Sequence, residues 1–141
     1  MESLEDVPIF YDKEIKKAAN LIDCIWFTED FKYIPAVIEI EHSKGVTSGF
    51  TRMLKFKAAI PGTNMNFTIV APDSLRNEIV GEANNLIYGT MDGRFMPYST
   101  VRKLYGLTQK YSLEGIVERN FIESFMEKVT TEQVNKFLQF H

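Results

Sequence analysis

Apolar and polar positions alternate unevenly along the chain. Residues 20–28 (NLIDCIWFT) and 35–41 (PAVIEIE) read as neighbouring strands, split by the polar connector EDFKY. A connector of that length favours antiparallel pairing. Thr47 or Ser48 is placed to cap a helix over roughly 48–60, ended by Pro61-Gly62. MNFTIVA (65–71) is a continuous apolar run bounded by Asn64 and Pro72, as in a strand buried on both faces. A helix is expected over 73–84, opening at Asp73 or Ser74. RFMPY then reads as a short edge strand, since Pro97 lacks the N–H that a central ladder needs. STVRKLYGL opens another helix.

In the tail, Leu113, Val117, Phe121 and Phe125 recur every fourth residue beside Ile116, which marks a helical stripe. Thr130 with Gln133 forms a capping box for a last helix, with Val134, Phe137 and Leu138 as its apolar face. The sum is one α/β domain over 1–141: a core at 15–111 with a central mixed sheet flanked by helices, and a helical C-terminal region at 112–141.

The runs expected as strands carry acids. Alternate side chains of a strand share a face, so Glu39 and Glu41 lie together about 7 Å apart. Ile38 and Ile40 are then expected to face the core. Asp23, between Ile22 and Cys24, can lie across from the glutamates if the strands pair. A half-exposed sheet carrying charges on its wet face is the ordinary explanation. Like charges on neighbouring strands repel, however, and no base alternates with these acids on either strand. A divalent cation would compensate, and oxygen-only ligands suit Mg²⁺ or Mn²⁺ and not zinc.

On the following helix, Ser48, Arg52, Lys55 and Ala59 form one stripe, with Phe50, Met53, Leu54 and Ile60 supplying apolar contacts. Arg52 and Lys55 are either the wet side of that helix or phosphate-binding groups turned toward the carboxylates. His42 faces away from the glutamates and is expected in a structural hydrogen bond. Glu14 reads as a surface residue, and Cys24 as a small buried apolar one.

Composition narrows the class. The 141 residues are 45% hydrophobic and 25% charged, enough for a single packed domain. No apolar run is long enough to span a bilayer, and the acidic first twenty residues do not suit a secretory signal. A single cysteine excludes an internal disulfide. An intracellular, cytoplasmic protein is expected. The net charge of -3 is unevenly spread. Residues 42–72 hold Lys44, Arg52, Lys55 and Lys57 without an acid, and residues 94–111 hold Arg94, Arg102, Lys103 and Lys110 likewise. Either these are solvated faces, as most charge runs are, or they are two basic surfaces flanking an acidic spot, which suits a polyanion lying over a metal site.

Taken in order, IDCIWF, VIEIEHS, SGFTRML and NFTIVAP resemble the PD-(D/E)XK nuclease superfamily, in its restriction-endonuclease-like branch. RFMPYSTVRKL is a weaker continuation. The resemblance covers about half the chain. It implies that Asp23 and Glu39 bind catalytic Mg²⁺ (or Mn²⁺), with the backbone carbonyl of Ile40 as a further ligand. Glu41 stands where the superfamily usually has lysine, an E-x-E variant, and would hold a second metal or act as general base. Arg52, Lys55 and Lys44 are the candidate phosphate contacts. Superfamily members usually carry a helix before the first strands, and here it is expected to be short or missing. The implied activity is endonucleolytic cleavage of double-stranded DNA by the catalytic part of a restriction or defence enzyme. It would work as a homodimer or with a partner recognition domain or subunit. The alternative is an inactive nuclease-fold module for DNA binding or assembly.

Overall fold

In the computed structural model of the chain, the described residues are 12–27, 34–43, 45–60, 64–110, 121 and 123–130. Their order is α1 (Lys13–Ala19), β1 (Cys24–Trp26), β2 (Ala36–Ile40), α2 (Val46–Ala59), β3 (Asn66–Ala71), α3 (Arg76–Ala83), β4 (Arg94–Pro97), α4 (Tyr98–Lys110) and β5 (Glu127–Lys128). Single 3₁₀ turns at Asp73–Leu75 and Gly89–Met91 precede α3 and β4. Five strands make one mixed sheet in the order β1-β2-β3-β4-β5. β1 runs antiparallel to β2, with Cys24 opposite Ile38. β2, β3 and β4 are mutually parallel, and β5 closes the far side antiparallel to β4.

The sequence pattern explains most of this. β3 is buried at all six positions because strands flank it and both faces are covered. β2 and β4 each connect to the adjacent parallel strand through a helix, so successive crossovers of one hand leave α2 and α3 on one face. That face holds the larger core, with Val37, Phe67, Ile69 and Phe95 of the sheet meeting Phe50, Met53 and Phe56 of α2 and Ile79 of α3. The opposite face carries a smaller cluster of Ala36, Ile38, Val70, Met96 and Met126, joined by Leu104 of α4 and by Phe121 and Phe125. The expected α/β architecture, a mixed sheet flanked by helices, is the one observed.

Several details differ from the sequence reading. α2 opens at Val46, capped by Gly45 and not by the Thr47 or Ser48 side chain. The Thr47 carbonyl instead accepts from the Thr51 hydroxyl at 2.9 Å. RFMP is not an edge strand. β5 pairs with its Arg94–Phe95 end, and Pro97 lies beyond that pairing, where its missing N–H leaves no gap. The short helix before the first strand is present as α1, with Asp12 accepting from the Ile15 amide at its start. Ile38 does face a core, but the smaller one, while Ile40 is exposed. The glutamates are on the larger-core side, against α2. Leu113, Ile116 and Val117 lie outside the described residues, as do Gln133, Val134, Phe137 and Leu138. The Thr130 hydroxyl, expected as a cap, donates to the Ala83 carbonyl at 3.2 Å.

Candidate active site

The carboxylates meet where β2 ends. Extending the β1–β2 register by one residue sets Asp23 opposite Glu39. β1 stops there as a ladder strand, and the Asp23 side chain continues its work: Oδ2 accepts the Ile40 amide at 2.8 Å. On the other side of β2, the Glu41 amide donates to the Val70 carbonyl at 2.9 Å. The N–H and C=O of one strand residue point to the same side. The Ile40 carbonyl therefore faces the Asp23 edge.

Glu39 is fully buried. Its Oε2 accepts from Arg52 Nη2 at 2.7 Å and from Arg52 Nε at 3.2 Å. Its Oε1 is buried without a hydrogen-bond partner. Burial pushes the Glu39 carboxyl up to about 7; the Arg52 hydrogen bonds oppose that shift, and the charge of Asp23 adds to it. Arg52 Nη2 also reaches Glu41 Oε1 at 3.1 Å, so one guanidinium bridges both glutamates. The strands themselves supply no base, as read; the partner comes from α2, across the layer, and of the two candidates on that helix it is Arg52.

Gly49 makes the approach possible. It sits on α2 one turn before Arg52, and a Cβ there would stand 2.9 Å from Glu41 Oε1 and 3.5 Å from Glu39 Cβ. The sequence reading did not single it out. A glycine inside an otherwise regular helix pattern, one turn from a basic residue, was the available signal.

Asp23, Glu39, Glu41, Arg52 and the Ile40 backbone are thus brought together. Lys55 is exposed and makes none of the carboxylate contacts, and Lys44 lies outside the described residues. His42 bonds through Nδ1 to the Tyr98 hydroxyl, in the structural role expected of it. Glu14 is exposed on α1. Cys24 packs against the smaller cluster, and burial pushes its thiol up. Among the described residues no three His, Cys, Asp or Glu side chains form a ready-made cation cage. No helix among them is long and apolar enough to cross a membrane.

Residues 1–129 match the family model of the Type II restriction enzyme NmeDI C-terminal domain. The chain belongs to the NmeDI C-terminal domain family. A curated relative, the Type II restriction enzyme NmeDI of Neisseria meningitidis serogroup C, is 42% identical over 120 residues. That match covers 84% of this chain and 34% of the relative, so the chain spans about a third of the length of the enzyme it matches. No solved structure matches this NmeDI-family chain.

Proposed function

We propose that this domain is a Mg²⁺-dependent endodeoxyribonuclease of the PD-(D/E)XK type, with Glu41 at the lysine position, hydrolysing phosphodiester bonds of double-stranded DNA within a type II restriction enzyme. The observation that carries the reading is the meeting of Asp23 and Glu39 from adjacent strands at one sheet end, with Glu39 Oε1 buried and unpartnered.

The residues present fit a hard cation. Two carboxylates and the Ile40 carbonyl give an all-oxygen donor set, and Mg²⁺ is commonly held by one or two carboxylates plus substrate phosphate and water. That accounts for a site without three converging acidic side chains. Bound there, Mg²⁺ or Mn²⁺ supplies a Lewis acid that offsets charge on the scissile phosphate and makes an attacking water more acidic. Asp23 orients its carboxylate through the Ile40 amide. Glu41, held by Arg52 and less buried than Glu39, would take a proton from the attacking water, and its partial exposure supports that role. Arg52, Lys55 and Lys44 are the cations offered to phosphate. Cleavage of both strands calls for two such sites, supplied by a homodimer or a partner subunit.

The test is duplex cleavage in Mg²⁺ by the chain in its full-length context. Asp23→Ala and Glu39→Ala are expected to abolish it, and cleavage surviving both would remove these residues from the chemistry. One feature favours a second reading, an inert DNA-binding or assembly module: Arg52 bridges both glutamates and offsets part of their charge from within the protein. Calorimetric titration with Mg²⁺ separates the two. Uptake that disappears in Glu39→Ala supports the nuclease, and no uptake supports the module.

A further inference from the structure

A guanidinium occupies the space between the two glutamates and engages the carboxylate that the proposed ion shares with Asp23. Arg52 Nη2 lies 2.7 Å from Glu39 Oε2 and 3.1 Å from Glu41 Oε1. Glu39, whose Oε1 is buried without a partner, would have to serve the forked guanidinium and a divalent ion with one carboxylate. The two partners are not equally fixed. The Glu39 side chain is fully buried, whereas that of Arg52 is 31% exposed at the open side of the site. Arg52 is the group free to leave.

We propose that Arg52 is a stand-in cation: it holds Glu39 and Glu41 together in the metal-free protein, then yields Glu39 to the divalent ion, frees Glu41 for the attacking water and turns to the substrate phosphate. This rests on the metal-dependent reading above. It makes Arg52 a positioning residue whose two states are coupled to ion binding. A ligand that binds only the minor, Arg52-released state has its apparent affinity lowered by the population of that state. Gly49 belongs to the same device, since a Cβ there would push Glu41 off the guanidinium.

The experiment is calorimetric titration of Mg²⁺ into the wild type, Arg52→Gln, Arg52→Lys and Glu39→Ala, with thermal unfolding in chelator and NMR of the Arg52 Nε–H group. Arg52→Gln is expected to unfold at lower temperature without metal, yet to bind Mg²⁺ about tenfold more tightly. Arg52→Lys should share most of that tightening, because an ammonium keeps the charge but cannot fork across two carboxylates. In the wild type, Mg²⁺ should shift the Arg52 Nε–H signal as its bond to Glu39 breaks, with no such shift in Glu39→Ala.

Variants that bind Mg²⁺ no more tightly than a wild type whose binding needs Glu39 would overturn the stand-in role and leave the metal site intact. Tightening in Arg52→Gln that Arg52→Lys does not share would also overturn it, as a plain effect of net charge. If Arg52→Gln fails to fold, Arg52→Lys and the wild-type NMR signal decide. Absence of Mg²⁺ binding by every form would fell the metal reading itself.

Discussion

Gly49 and Glu41 touch across the α2–β2 interface so closely that a Cβ on the glycine would stand 2.9 Å from the Glu41 Oε1 atom. Alanine is favoured over glycine in a helix interior by about 1 kcal/mol, so Gly49→Ala would stabilise α2 if nothing opposed it. Here the new methyl also meets Ile69 Cδ1 at 3.2 Å and displaces Glu41 from Arg52. The expected outcome is a net loss of stability in the wild-type background. Combined with Glu41→Ala, the same substitution should be neutral or stabilising. A double-mutant cycle by urea denaturation measures the difference.

Glu39 makes stability depend on pH. Its carboxyl is raised from 4.5 to about 7 on folding, first by burial. Between those values the folded chain keeps a proton that the unfolded chain has released. Stability is therefore full below the lower value, falls as pH rises through the window, and levels off above it. The loss is as much as about 3 kcal/mol, and Glu39→Gln should flatten the profile. Arg52→Ala should steepen it and carry it past pH 7, because the ion pair that opposes the rise is gone. Its cost is therefore small in acid and, at alkaline pH, approaches the roughly 3–5 kcal/mol of an unpaired buried charge. Denaturation in chelator across the pH range tests all three proteins.

The sheet was legible because its main strands are short apolar runs bounded by polar or turn residues. LIDCIWF and PAVIEI pair antiparallel as read, and MNFTIVA is the buried centre strand. The convergence of Asp23 with Glu39 followed from that register. The face was misassigned, and the reason is physical. Alternation separates Glu39 from Ile38 but does not say which face carries the larger core when both are covered. Arg52 was seen as a candidate to face the acids, yet its bridging of both glutamates depends on the α2–β2 distance, which no local pattern encodes. β5 escaped because a two-residue strand, Glu127–Lys128, has no periodicity to read. That omission turned β4 into an apparent edge.

Asp23 has two separable tasks. Its Oδ2 ties the Ile40 amide to the β1 edge at 2.8 Å, and its charge would hold a cation. Asn keeps an oxygen that can accept the amide, while Ala leaves the amide without this acceptor. Asp23→Asn should thus unfold close to the wild type, and Asp23→Ala should lose about 1 kcal/mol. Both should lose Mg²⁺ binding in calorimetry. Retained ion binding in Asp23→Asn, with stability unchanged, would leave the residue only its structural task.

If the domain engages DNA as proposed, α4 is the exposed basic helix it would present. None of its described side chains is buried, and its Arg102, Lys103 and Lys110 are exposed with no acid on the helix. Its start is tied to the chain just past β2, with α4 packed on the sheet face opposite the glutamates. Tyr98 bonds His42, and the Ser99 hydroxyl donates to Asp73 Oδ2 at 2.6 Å. A duplex engaging α4 thus meets a row of cations along the helix. Replacing each of the three by Gln should weaken duplex binding at low salt, with little dependence on sequence. If each one neutralises a phosphate, each loss should lower the slope of log affinity against log salt by about 0.9. Fluorescence anisotropy over a salt series reads both quantities. A weaker complex with an unchanged slope would mean that these residues support the fold of α4 and do not touch phosphate.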